Sequence, residues 1–570
     1  MTPPQPTVQD DARQDPFRWQ RCDHVHAYAD FSDPFTPPSS QRAYAREHGI
    51  PRSTLGDWLR RENPAGVDPP LAAFLRSPSG EAFLRRLLLA VLLVFHLWNA
   101  CGLRPIRLFL ELIDIDRFVG SSYGALRRLA AQLQADLAAF DEEERLRMAK
   151  LMPKRSIALT PDENFHGKHP CLVAIEPVSN FILVEQYAPH RDSETWTEAI
   201  KQGIQNLPVT VVALTGDQAK GIIACAGRLE AQYTPELFHG QRDLARPLLA
   251  PLQRQIASAE KELEEAKQFT QRIEQEKKKA EAVPPRPGRP ADFEWRILLA
   301  QSEEGHKARQ LQECQKRKEQ ACDAVGGLAD DYHPFEPQTG QPLTAEQVQE
   351  RLQGRLKTLE RVACITDLGK AAEEALEKGK KWMAALGASM AWFWVVARQR
   401  VEELTLPEEA EQAMQEKLLA GLYWQQAARR ARTAEERQEK EELAARLVKE
   451  AWAADGALMR LKEEEREQVR RVAAEVVGLF ARSSSCVEGR NGRLALLHHG
   501  HTRLSPGHLK ALSVVHNYVV KRSDGSTAAE RFFGVQQRDA FTWLLQRMRD
   551  LPQPAAKRLQ QPTGIRPAAV

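Results

Sequence analysis

No charge sign dominates this chain: 80 Lys and Arg stand against 77 Asp and Glu, a formal charge of +3 over 570 residues. Net charge therefore excludes no class of partner, and only its local distribution can point to one. Cysteine is sparse, eight residues with no CxxC pair, which excludes a disulfide scaffold or a cysteine zinc site and fits a reducing cytosol. Long apolar runs are missing too. The longest, at 87–95, has nine residues, well short of the ~20 that cross a bilayer, so a buried helix and no membrane association are expected. The opening MTPPQPTVQDDARQDP is polar and proline-rich, unlike a secretory leader. There is no P-loop, so ATP use is not expected. What is present is globular in kind, 42% hydrophobic and 28% charged, and the length suits two to four domains.

Texture divides the chain. Residues 1–38 carry seven prolines and no periodicity and read as a flexible arm. Helical patterning begins at Ser39–Ser40 and defines a helical region over 39–150. From 151 to 249 short β-branched runs (SIAL, CLVAIEPV, FILVEQY, VTVVALTGD) alternate with turns and one helical stretch, SETWTEAIKQGIQNL. That mixture predicts a compact α/β unit. The runs at 171–178 and 181–187, joined by Ser179–Asn180, predict a hairpin, so the sheet is not wholly parallel. Residues 250–481 are rich in Glu, Lys, Gln and Ala and predict an all-helical segment. Two of its helices, broken by the proline-rich VPPRPGRP, form a solvated hairpin that could serve dimerisation. A compact basic block follows at 482–550, then a flexible tail at 551–570.

SSQRAYAREHGIPRSTLGDWLRRE, residues 39–62, has the pattern of a helix-turn-helix. Ala43, Ala45 and Ile50 face inward, Gly49 permits the turn, Ser53 caps a second helix, and Leu55, Trp58 and Leu59 bury its inner face. Arg52, Thr54, Arg60 and Arg61 are then free to meet DNA phosphates and base edges. In a second helical pair, 106–133, Ser121 or Ser122 would cap a helix carrying Tyr123, Arg127 and Arg128.

Three acids carry the candidate chemistry. Asp162 and Asp217 each follow an apolar strand-like run, and Glu488 falls in the first turns of a helix capped within Ser483–Ser485. Carboxylates at neighbouring strand ends can converge, with a third supplied by a helix beside them. Such a set suits two hard divalent cations, Mg²⁺ or Mn²⁺, which serve phosphoryl transfer by activating the attacking oxygen and stabilising the leaving one. Glu163 would point to the opposite strand face from Asp162. From 482 to 538 nine Lys and Arg face three acids, with five histidines besides, a local surplus suited to a polyanion. Arg490 and Arg493 are candidates there for phosphate contacts. Five tryptophans at 382, 392, 394, 424 and 452 could stack on a base, though helical spacing favours core packing.

The order of strand with Asp162, hairpin, helix, strand ending in Asp217 and distant helix with Glu488 resembles the RNase H-like core of DDE transposases. The acids are separated by 55 and 271 positions, and the long second gap is similar to members whose helical domain is inserted before the Glu-bearing helix. VEGRNGRLALLHHGHTRLSPGHLKALSVVHNYVVKR also resembles the Glu region of bacterial insertion-sequence transposases, with its basic residues and closing His/Asn/Tyr segment. The resemblance covers 156–249, 482–534 and the helix-turn-helix. It implies a DDE-type DNA transposase in which Asp162, Asp217 and Glu488 hold two Mg²⁺ or Mn²⁺ ions. It further implies double-stranded partners (terminal inverted repeats and target DNA), a homodimer or higher oligomer on DNA, and a bacterial, cytoplasmic, nucleoid-associated location. His239 and Asp243, after a fifth strand, could lie near the metals, His239 in a positioning role. The rival expectations are a transposase-derived DNA-binding protein without catalysis and a coiled-coil DNA-binding regulator.

Overall fold

Contacts divide the chain into two units, residues 1–142 with 538–570, and residues 143–537. The computed structural model describes residues 40–56, 69–99, 101–282, 291–498 and 504–554. The arm at 1–38, Trp58, Leu59, Arg60, Arg61, the proline-rich 283–290 and the tail from 555 lie outside them.

In the first unit, α1 (Gln41–Glu47) starts at Ser40, whose Oγ accepts the Ala43 N–H at 3.3 Å. Gly49 takes φ +66°, the left-handed conformation that the sharp turn needs. Helical residues 52–56 follow, and Tyr44, Ala45 and Leu55 are buried together with Ile50 packed on them. Two details differ from the sequence reading. The second helix opens at Pro51, whose carbonyl accepts the Leu55 N–H at 3.0 Å, because proline's fixed φ suits a helix start. Ser53 is therefore inside the helix rather than its cap. Tyr44, stacked on His48, takes the inward place expected of Ala43, which is exposed. Arg52 is exposed and Thr54 half-buried.

Next come α2 (Pro69–Arg76) and α3 (Pro78–Val91), which continues as a π-type turn over Leu92–Trp98. The apolar run is buried at Leu88, Leu89, Val91, Leu92 and Leu93. No helix among the described residues is long and apolar enough to cross a membrane. After α4 (Leu103–Leu112), α5 (Tyr123–Leu151) is capped by Ser122, whose Oγ accepts the Ala125 N–H at 3.2 Å.

The second unit is a mixed α/β fold with a large helical part. Its strands are β1 (Arg155–His166), β2 (His169–Glu176), β3 (Phe181–Tyr187), β4 (Val209–Gly216) and β5 (Gln232–Pro235). They form one sheet in the order β3-β2-β1-β4-β5. β1–β2 and β2–β3 are antiparallel, while β1–β4 and β4–β5 are parallel. Every residue of β2 but His169 is buried, as a strand covered on both faces must be. α6 (Ser193–Gly203) packs on β3, and α7 (Lys220–Arg228) on β4 and β5.

The chain then becomes helical. α8 (Leu237–Glu281) and α9 (Phe293–Asp331) run antiparallel, tied by Lys307–Glu262 at 2.8 Å and Arg296–Glu276 at 3.0 Å. α8 starts directly after β5 and passes through 250 unbroken, with Pro247 and Pro251 inside it, so the helical segment begins earlier than expected. α10 (Ala345–Thr366), α11 (Lys370–Glu402), α12 (Glu408–Ala413), α13 (Leu419–Ala428), α14 (Ala434–Ala451) and α15 (Glu463–Gly478) complete it. Trp382 and Trp424 belong to its core, with Trp392, Trp394 and Trp452 packed against that core. These rings serve packing rather than a stacking platform.

The chain leaves and rejoins the sheet at one place, where the Leu237 N–H meets the Arg482 carbonyl at 3.1 Å. α16 (Ser485–His498) then packs on β1 and β2, and α17 (Pro506–Tyr518) and α18 (Ala528–Phe533) on β3. The His/Asn/Tyr segment covers the edge strand. Asn517 accepts the Ile182 N–H at 2.9 Å and donates to its carbonyl at 3.0 Å, His516 bonds the Asn180 carbonyl at 2.8 Å, and Tyr518 packs on Phe181. From 538 the chain belongs to the first unit. α19 (Ala540–Arg547) packs on α3, with Trp543 against Phe140 and Arg85 bonded to Asp550. The segment at 482–550 is thus divided between the two units at 537/538.

Burial pushes His516 down to about 4, with Arg490 adding to the effect and the Asn180 carbonyl, Glu185 and Arg531 also facing it. An unfolded chain binds that proton near 6.5. The contribution is therefore present above about 6.5 and lost as pH falls toward 4, because the unfolded state then holds the extra proton. The urea midpoint should fall less between pH 7.5 and 5.5 in His516→Gln than in the wild type.

Candidate metal centre at the sheet edge

Register places the acids. Leu159 on β1 pairs with Leu214 on β4, so three residues further along each strand Asp162 and Asp217 reach the same level. Gly216 keeps the strands close there, since a Cβ on it would lie 3.1 Å from the Pro161 carbonyl. Gly216 pairs in turn with Pro235 on β5, which sets Glu236 at that level too. The Glu236 N–H donates to the Gly216 carbonyl at 2.8 Å, and the Tyr233 hydroxyl to the Asp217 carbonyl at 2.7 Å. Three carboxylates thus stand at one level across three adjacent parallel strands. β1 itself runs on past Asp162 to His166 beside β2, so Asp162 lies where β1 outlasts β4 rather than at a strand end.

Asp162 Oδ1 accepts the Glu163 N–H at 2.9 Å, and its Oδ2 accepts the Asn491 amide at 2.8 Å. Burial pushes its carboxyl up to about 7; the Glu163 N–H opposes this and the charge of Asp217 adds to it. Glu163 turns away to Arg191 at 2.6 Å, which settles which of the two acids faces the edge. Asp217 Oδ1 accepts the Ala219 N–H at 3.1 Å, in the turn that leads into α7.

Glu236 is buried and fixes the returning chain. Its Oε1 accepts the Ser484 N–H at 2.9 Å and the Ser484 hydroxyl at 2.7 Å, and its Oε2 meets His239 Nδ1. The bond to Glu236 pushes the imidazole pKa of His239 up, against the effect of burial. Gly240 keeps this turn of α8 against Trp382, where a Cβ would lie 2.0 Å from the indole. One turn into α16, exposed Glu488 comes to the same place: ligand atoms of Glu236, His239 and Glu488 lie within 4.8 Å of one another. His239 is also in the electrostatic field of Asp162. Glu236, His239 and Glu488 thus form one group of ligand atoms, while Asp162 and Asp217 stand level on the neighbouring strands, with Asp162 tied to α16 by Asn491; among the described residues neither aspartate falls within that group. Asp243 is not in it either; it is exposed, with Arg242 at 3.8 Å.

This donor set fits a divalent cation. Glu236, His239 and Glu488 offer carboxylate and imidazole donors from the end of β5, α8 and α16, and the Asp162 carboxyl, raised by burial and a like charge, is one that bound positive charge would relieve. Glu236 escaped the sequence reading, although it follows β5 as Asp217 follows β4, because a four-residue strand shows no periodicity.

Arg490 is not a surface phosphate contact. Its guanidinium is buried in a two-pronged ion pair with Glu185 on β3, Nε–Oε1 2.7 Å and Nη2–Oε2 2.6 Å. Arg493 is half-buried, and burial and Arg490 lower its pKa. Arg482 bonds His333 and the Ala329 carbonyl, and Arg531 the Ser179 carbonyl. Exposed positive charge remains at Lys510, Lys521 and Arg538 and is joined by Arg429, Arg430 and Arg432 in the α13–α14 connection. Arg430, Arg432, Lys440 and Arg482 line a cavity of about 370 Å³ that has Glu488 in its wall.

Residues 414–560 match a family of unknown function, DUF6399, a stretch containing these arginines, Glu488 and Asn491. Neither a curated protein nor a solved structure matches the chain.

Proposed function

We propose that this chain is a DDE-type DNA transposase, with an RNase H-like catalytic core interrupted by a helical insertion. The observation that carries this reading is the pairing of Asp162 and Asp217 at one level of adjacent parallel strands, with Glu488 brought beside His239 by a helix whose Asn491 holds Asp162. The order of strand, hairpin, helix, strand and distant helix agrees with it. Mg²⁺ or Mn²⁺ held by Asp162, Asp217 and Glu488 would supply charge to activate an attacking oxygen and stabilise the leaving one. Asn491 fixes the Asp162 carboxylate, and Glu236 fixes the first turn of α16 through Ser484. The helix-turn-helix with Arg52 and Thr54 reads the element ends. Incubating the full chain and Mg²⁺ with the DNA flanking its own coding sequence should give nicks at fixed positions. Specific binding without nicking would favour a transposase-derived DNA-binding protein.

The exposed arginines beside Glu488 hold the DNA backbone in this reading. Arg430→Ala with Arg432→Ala should lower the slope of log K against log salt by about 1 per arginine, as counterion release predicts. A slope unchanged in gel-shift titrations would place the phosphate contacts elsewhere.

A further inference from the structure

We propose that His239 is itself a metal ligand at this edge, held by Glu236 as a positioning residue, so that the site prefers a cation accepting nitrogen, Mn²⁺ over Mg²⁺. The inference rests on the reading of the acidic edge as a metal centre and adds a fourth, nitrogen-bearing ligand to it.

The hydrogen bonds define the roles. Glu236 is buried, and its two oxygens are committed, Oε1 to Ser484 and Oε2 to His239 Nδ1. A carboxylate beside Nδ1 holds the proton there, which leaves the Nε2 lone pair for a cation. This carboxylate–histidine pairing is how ligating imidazoles are oriented at metal sites. The ring stands within ligand range of Glu488 and in the field of Asp162. Its backbone is fixed on both sides, by Glu236 on the returning segment and by Gly240 against Trp382. Nothing in oxygen-only Mg²⁺ binding calls for an imidazole at that place. Mg²⁺ prefers oxygen donors and retains water, whereas imidazole suits transition metals.

The test uses the full chain without DNA, loaded with Mn²⁺ and followed by electron spin echo envelope modulation. Bound Mn²⁺ should show ¹⁴N coupling in the wild type and in Arg242→Ala, and lose it in His239→Gln. The same substitution should weaken Mn²⁺ at least about tenfold while changing Mg²⁺ competition less than about threefold, with the melting temperature confirming the fold. Mn²⁺ whose binding depends on Asp162 but shows no ¹⁴N coupling, or keeps it in His239→Gln, overturns the inference and leaves the carboxylate centre standing. Absence of any Mn²⁺ binding that Asp162→Asn weakens overturns the metal centre as well.

Discussion

Asp217→Asn should lower strand cleavage and joining by about a thousandfold or more while leaving binding to end DNA within about twofold of the wild type. Asparagine keeps the shape and can still accept the Ala219 N–H in the turn before α7. It removes the charge that would hold a cation level with Asp162, and such a cation contributes several kcal/mol to the transition state, about a factor of ten per 1.4 kcal/mol. Asp162→Asn and Glu488→Gln should behave alike. Cleavage and gel-shift assays run on the same preparations separate the two effects. Wild-type cleavage by Asp217→Asn would remove this carboxylate from the chemistry.

Arg490→Ala should destabilise the second unit by about 3–5 kcal/mol, because it strands the charge of Glu185 in a buried place. Urea unfolding measures this. Replacing both partners, Arg490→Met with Glu185→Leu, should recover most of the loss, since two apolar groups leave nothing unpaired. A contact to DNA phosphate would show the opposite pattern, with stability unchanged and a shallower salt dependence of binding.

Arg490 also marks where a sequence stops being informative. Charge is visible in a sequence, but its partner is not, and Glu185 lies 305 residues away on β3. Counting the arginines of 482–538 as a polyanion-binding face therefore overstated it, because Arg482, Arg490 and Arg531 are spent on the interior. The strands were readable where β-branched runs met turn residues, as in β2 and β3, since period and punctuation are local. The level relation of Asp162 and Asp217 was not readable, because it depends on a parallel register across two strands and a helix. Glu236 was missed for the related reason that Gln232–Pro235 is too short to advertise itself. The change of texture near 250 reads as the start of the helical segment, yet α8 runs through it from Leu237 with Pro247 and Pro251 inside. The joining of Leu237 to Arg482 shows why the helical segment could be read as an interruption: both ends of it meet at the edge of the sheet.

The central claim is that carboxylates from distant segments act together to join DNA. It is tested most directly by incubating the full chain, Mg²⁺ or Mn²⁺ and a supercoiled plasmid with duplexes carrying the pre-cut flanks of its own coding sequence. One duplex ends in a 3′-hydroxyl and its twin in a 3′-deoxy terminus. The account predicts covalent joining of the first to the plasmid and none of the second. Duplexes that are bound specifically yet never joined, with either metal, would contradict it.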